Sequence, residues 1–295
     1  MTTVQPDADA SNSEAQASRT QISGVASVDP VATGASMLRR SRSVLASAWP
    51  AVIFGLFALL CWQGLVRASH IATFVLPAPS DIFAAFATNF GRVATSAENT
   101  GANALVGLLI GTVLAVLDAS LSARLRIADE LITSLAAAAA TMPIVVLAPI
   151  FNTMFDSTST LPRRLVVTVA TFVPIFVNTV RGLKQISPVH AELMASYAAS
   201  GMAVLRHVRI PGALPFFFTG IRLAASLSVI SAVVAEYFGG LQQGLGPKIT
   251  SAVAASDYAL AWAYVIGAIV LGLIFYLLAL AIESLAMRSR QVAGR

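Results

Sequence analysis

The chain has 295 residues, of which 57% are hydrophobic and only 11% charged, and its mean hydropathy is +0.78. Soluble domains carry about 25% charged residues, so this chain cannot coat a water-facing surface around so apolar a core; the composition excludes a soluble fold and predicts an all-α integral membrane protein. The net charge of +5 sits in basic residues flanking hydrophobic segments, the pattern of charge-oriented membrane proteins and not of nucleic-acid binders.

Taken in chain order, residues 1–44 are rich in Ser, Thr, Ala, Gln and Asp, with little to bury; they are predicted to be a disordered cytoplasmic tail and contain no signal peptide. Arg39, Arg40 and Arg42 precede the first apolar run, 45–66, an expected signal anchor. Further spans are predicted at about 102–122, 130–154, 164–183, 213–238 and 259–283, six in all, since about 20 apolar residues cross a bilayer. These define a membrane domain over 45–288 and a short cytoplasmic tail at 289–295. With the N-terminus inside, fourteen Lys and Arg fall on inner segments and five (Arg67, Arg92, Arg163, Arg164 and Lys248) on outer ones, so both termini are expected in the cytoplasm.

Two connections have helical composition. On the outer side, LPAPSDIFAAFATNF offers Ser80 or Asp81 as a helix cap, with Ile82, Phe83, Phe86 and Phe90 on one face suited to the membrane surface. On the inner side, 188–215 reads PVHAELMASYAASGMAVLRHVRIPGALP, too polar to span. Leu193, Met194, Tyr197 and Ala198 make an apolar stripe. Gly201 is expected to end that helix, Met202 to Val208 to form a second, Pro211 to stop it and Pro215 to open the fifth span. Such a helix–turn–helix either docks into a partner's groove or packs on the bundle's own base.

This segment resembles the cytoplasmic EAA loop of ABC-importer inner-membrane permeases. Glu192 stands at the motif's Glu, Ala199-Ser200 match the Ala-Ser that often follows its Gly, and Ile210-Pro211 match its hydrophobic-Pro pair. Leu193 and Met194 replace the motif's two alanines, and Ala198 stands where its Gly belongs, so Gly201 is expected to take over the turn. The resemblance runs from about 75 to 288. FVLPAPSDIF, PIVVLAPIF, FVPIFVNTVRGLKQISP, GALPFFFTGIRLAASLSVISAVVAEYFGG and Gly244–Gly246 follow the order of the nitrate/sulfonate/taurine permease group. ELMASYAAS and AVVAEYFGG are most similar to members associated with thiamine-pyrimidine or riboflavin precursors.

The resemblance implies a bacterial-type inner-membrane permease that pairs with a second copy, expected as a homodimer. Each cytoplasmic loop, about 188–212, would seat on an ATP-binding cassette subunit, and a solute-binding protein would deliver solute from outside. ATP and Mg²⁺ would be used by the partner ATPase: the sequence has no G-x-x-x-x-G-K-[ST], so no cofactor or catalytic residue is expected in this chain. The single cysteine, Cys61, and three dispersed histidines (His70, His190 and His207) predict no disulfide and no metal site.

Within the spans, Pro143, Pro149 and Pro174 are predicted to bend helices, as static kinks or as parts of a moving pathway. Met142, Pro143, Asn152 and Phe176 lie at these bends and are candidate pathway residues, with Asn178 as a helix cross-link and Arg181 as an inner anchor. Glu236, near the outer end of the fifth span, either gates the path or reaches the interface as a structural charge. Asp118 is expected to pair with Arg124 or Arg126 or to be solvated, and Gly107-x-x-x-Gly111 is a weak pointer to a dimer seam. The competing class, an ion-driven secondary transporter, calls for ionisable residues deep in the spans or broken helices in matching halves.

Overall fold

A computed structural model describes residues 32–155, 159–185, 187–239 and 243–293. Most of the expected tail, 1–31, lies outside these residues; 32–44 are the opening turns of a helix. Among the described residues every regular element is helical: α1 (Ala32–Ala68), α2 (Pro79–Thr88), α3 (Phe90–Ser122), α4 (Arg126–Thr141), α5 (Ile144–Met154), α6 (Leu161–Lys184), α7 (Pro188–Ser196), α8 (Gly201–Val204), a π-helical turn (Leu205–Arg209), α9 (Ile210–Tyr237), α10 (Leu245–Ala254) and α11 (Tyr258–Ala293). The chain divides into two units, Met1–Cys61 and Trp62–Arg295. In the first, Trp49, Phe54, Phe57 and Leu60 on α1 are exposed apolar side chains.

Four helical stretches are long and apolar enough to cross a membrane: Phe90–Ser122, Leu161–Lys184, Gly201–Tyr237 and Tyr258–Arg288. The predicted third span is instead broken, with α4 and α5 meeting at 99°. The cause is Pro143. A residue before proline is pushed out of the helical region, and Met142 has φ −69° and ψ 125°. Pro149 sits inside α5 without ending it.

The contacts fix the direction of each helix in the second unit. At one end, Asn103 of α3 meets Arg164 of α6 (Nε to Oδ1, 3.4 Å) and Glu236 of α9 (Nδ2 to Oε1, 3.2 Å). At the other end, Ala115 and Ala119 of α3 pack with Val180 and Leu183 of α6 and Ala213 of α9. Thus α3 and α6 run parallel, and α9 runs against them. The start of α4 lies at the second end, where Asp129 pairs with Lys184 at 2.6 Å, while α5 packs Leu147 and Ala148 against Val166 and Ala235 near the first. The bent α4–α5 pair therefore carries the chain from one end of the bundle to the other, a fifth crossing. It is no re-entrant loop.

Small residues let these helices close up. A Cβ on Gly107 would lie 2.5 Å from Val167 Cβ, and one on Gly111 would lie 2.9 Å from Thr168 O. The Gly107/Gly111 pair thus forms the α3–α6 seam within this chain, which corrects its reading as a dimer seam. Gly182 brings α6 against Ala213 of α9 in the same way.

Other expectations are also corrected. The outer connection is shorter than predicted, since α3 begins at Phe90. Helix α2 starts with Pro79 behind Ala78, so Ser80 and Asp81 stand inside it and bond Gln63 and Arg67 instead of capping it. Its apolar row is split, with Ile82 buried, Phe86 packed beside the Val93–Leu245–Tyr264 cluster, and Phe83 and Phe90 exposed. Arg126 pairs with Glu130, and Asp118 is in no ion pair among the described residues.

Candidate functional site

The inner connection departs from prediction at its turn. Helix α7 ends at Ser196, where Ala198 N–H donates to Ala195 O (2.9 Å) and Ala199 N–H to Met194 O (3.0 Å). This pair of bonds is the Schellman arrangement, whose defining residue adopts a left-handed backbone, usually as glycine. Here that residue is Ala198, with φ 47°. Gly201 does not take over the turn. It opens α8, behind Ser200, whose side chain accepts from Ala203 N–H (3.3 Å).

Pro211 likewise does not stop a helix. The chain stays helical from Gly201 to Tyr237, with Pro211 two residues past the π-helical turn. The ladder widens just before it, with Ile210 N–H reaching five residues back to Leu205 O. Pro215 sits within α9 rather than opening it. A single bulged rod therefore connects the inner turn to the membrane core.

Val189 and Leu193 on α7 and Tyr197 at its C-cap, spaced four residues apart, are all exposed, Tyr197 by 76%. Glu192 is exposed beside them. Among the described residues α7 packs closely on no other helix. Of the two sequence readings, a helix on the bundle's own base does not match this exposure. The stripe is only partly as predicted, since Met194 is half-buried.

In the membrane core, a cleft of about 330 Å³ opens at the α4–α5 bend between α6 and α9. Met142, Ala139, Ala140, Val173, Pro174, Val177, Asn178 and Leu227 line it. The structure thus brings Met142 and Asn178 together and leaves two other candidates outside. Phe176 is 1% exposed and stacks on Phe172 at 5.4 Å, on the core side of α6, and Asn152 is absent from the lining. Pro143 shapes the cleft by making the bend. Asn178 does not cross-link helices: its Nδ2 donates to Pro174 O of the same helix at 2.7 Å.

Glu236 does not line the cleft. It is 1% exposed and accepts from Thr100 Oγ1 (2.7 Å), Asn103 Nδ2 (3.2 Å) and Gly246 N–H (3.4 Å). Thr100 Oγ1 in turn accepts from Leu245 N–H (2.8 Å). The carboxylate thus ties α3 and α9 to the N-terminus of α10, where free N–H groups favour an anion. Arg163, 2% exposed, lies within electrostatic reach of Glu236 and bonds Gly239 O (3.4 Å). A second charge pair missed by the sequence reading joins α9 to α11, Arg222 to Glu283 at 3.4 Å. Ionisable groups are thus present in the spans, and they face one another.

The signal for the Glu236 site was in the sequence as the two glycines around Leu245. A Cβ on Gly244 would strike the Glu236 carboxylate, and one on Gly246 would lie 2.6 Å from Val233 O. Those glycines are required by close approach of the carboxylate and of the α9 backbone.

Residues 107–287 match the family of binding-protein-dependent transport system inner membrane components, over a stretch that holds the inner turn, the cleft and Glu236. The chain is also 30% identical over 254 residues to a riboflavin transport system permease protein of Chloroflexus aurantiacus, covering 84% of this chain and 94% of that one. The chain belongs to this permease family. A formylaminopyrimidine transport permease protein of Halalkalibacterium halodurans is 35% identical over 141 residues, 48% of this chain and 56% of that one. A putative aliphatic sulfonates transport permease protein of Escherichia coli is 27% identical over 177 residues, 59% and 67% of the two chains. The protein is the multi-pass inner-membrane permease of an ABC importer for small solutes, not its ATPase, and such a transporter works with an ATPase and a binding protein. Membership in this family removes the ion-driven carrier, even with charges inside the spans.

Proposed function

We propose that two copies of this permease form the solute pathway of the importer, and that α7 seats in a groove on each ATPase subunit. With α1 as the sixth span, both termini are cytoplasmic and the Glu236 end of the bundle faces outward. The observation that carries this reading is the exposed Val189–Leu193–Tyr197 row on an otherwise unpacked helix, joined to the core by the rod Gly201–Tyr237. Movement of the ATPase would pull Glu192 and its helix, turn α9, and open the cleft at the α4–α5 bend to alternate sides. That requires the docking energy to differ between the two states.

The solute favoured is a pyrimidine-type vitamin precursor. The cleft offers apolar walls, one amide and no charged side chain, which suits a flat, uncharged heterocycle better than an anion stripped of its water. The riboflavin and formylaminopyrimidine permeases are the relatives that support it. A sulfonate- or nitrate-like anion is the second reading, supported by the sulfonate permease relative. Leu193→Asp with Tyr197→Asp tests the docking role. The tagged double variant is expected to keep its detergent-solubilised peak and lose the co-purifying ATPase subunit; full retention of that subunit would remove the role given to α7.

A further inference from the structure

The cleft at the α4–α5 bend has one polar side chain in its lining, and the bond that side chain makes fixes what it presents. Asn178 Nδ2 lies 2.7 Å from Pro174 O. A carbonyl oxygen only accepts, so the end of the amide that meets it is the NH₂, and the amide is held in one sense. The other end, Oδ1, accepts from no group among the described residues, and Asn178 lines the cleft. Helix α9 crowds the same spot: a Cβ on Gly220 would lie 3.0 Å from Pro174 O and 3.3 Å from Asn178 Cβ.

A second acceptor stands on the same helix. Pro174 has no N–H to return to the carbonyl of Ala170, one turn earlier, and Ala170 also lines the cleft. An oxygen in an apolar cleft is costly to strip of water until a donor meets it. Ile144, which opens α5, lines the cleft too, and N–H groups at a helix start suit an acceptor on the solute. No cation is in the lining, so a sulfonate or nitrate group, all acceptor and charged, would face two oxygens without a counter-charge. An uncharged ring that carries N–H beside its own acceptors meets both needs.

We propose that Asn178 is the specificity-determining residue of the cleft: its Oδ1 accepts an N–H of an uncharged heterocycle and so selects against solutes that only accept. This inference rests on the reading of the cleft as part of the solute pathway, and it deepens that reading from a preference for uncharged rings to one stated bond.

The test measures solute binding directly, by saturation-transfer NMR titration of the permease–ATPase complex in nanodiscs, so that no binding protein filters the probes. The probes are formylaminopyrimidine and riboflavin, each beside a derivative in which every N–H of the ring and its amino groups is replaced by N–CH₃, with methanesulfonate as the anion. Wild type is expected to bind one of the two heterocycles at least tenfold more tightly than its N-methylated derivative, since a site built to hydrogen-bond an N–H rejects the analogue that lacks it. Asn178→Leu, which removes the acceptor, is expected to bring the two within threefold; comparing both probes on both proteins cancels the bulk of the added methyl groups. Retention of the ATPase subunit on the tagged variant shows that it has folded, and Asn178→Ala is read in the same way if the leucine variant loses it. A preference for the N–H form that is the same in wild type and variant overturns the role of Asn178 and leaves the heterocycle reading standing. Binding of methanesulfonate with neither heterocycle bound, or no binding of either heterocycle, overturns the heterocycle reading itself and this inference with it.

Discussion

Ala198 holds a left-handed backbone at the end of α7, a conformation that costs an L-residue roughly 1–2 kcal/mol and that glycine adopts freely. Ala198→Gly is therefore expected to strengthen the turn by about 0.5–1 kcal/mol, after the greater freedom of unfolded glycine is set against the relief of strain. Ala198→Val, branched at Cβ, is expected to weaken it by more. Because the turn opens locally, amide hydrogen exchange at 193–199 is the measurement, with slower exchange in the glycine variant and faster in the valine variant. At Glu236, replacement by leucine leaves the Thr100 hydroxyl, the Asn103 amide and Gly246 N–H without their acceptor, at about 1–3 kcal/mol for each buried group. Glu236→Gln keeps an acceptor oxygen in place. Thermal unfolding in detergent should rank wild type above Glu236→Gln and both well above Glu236→Leu. Equal midpoints for all three would mean that the carboxylate does not hold α3, α9 and α10 together.

Among the elements, the α3–α6 seam depends on the absence of side chains at Gly107 and Gly111, since a Cβ there meets backbone or β-carbon atoms that cannot swing away. Gly111→Ile should cost about 3 kcal/mol or more through overpacking and abolish a monodisperse detergent-solubilised peak. Gly55→Ala, where a Cβ meets nothing within 4 Å, should leave that peak unchanged. The two glycines were plain in the sequence, but the partner they pack against was not, because spacing along one helix says nothing about which helix faces it. The same limit applies at Glu236. Its position and the glycines around Leu245 were legible, yet its bonds to Thr100 and Asn103 join residues more than 130 positions apart. The span at 130–154 was visible by hydropathy and Pro143 marked where it would break, but the 99° angle goes with the packing of α5 onto α6 and α9, which the sequence does not state. At the inner turn, composition located the helices, whereas choosing Ala198 over Gly201 for the left-handed position needed the backbone bonds themselves.

At the scale of the whole molecule, three features combine. Helices α3, α6 and α9 form a bundle locked at one end by Glu236. A bent α4–α5 crossing leaves an apolar cleft beside it. An unpacked helix, α7, stands at the opposite end on a rod that is continuous with α9. That helix carries an exposed apolar row beside Glu192. The most direct measurement is simultaneous ATP hydrolysis and solute uptake by the complex in proteoliposomes, with wild-type permease and with Glu192→Arg. The account predicts ATP-dependent uptake in wild type, with uptake and binding-protein-stimulated hydrolysis falling together, tenfold or more, in the variant. Undiminished uptake and hydrolysis in Glu192→Arg, or uptake that follows an ion gradient without ATP, would contradict it.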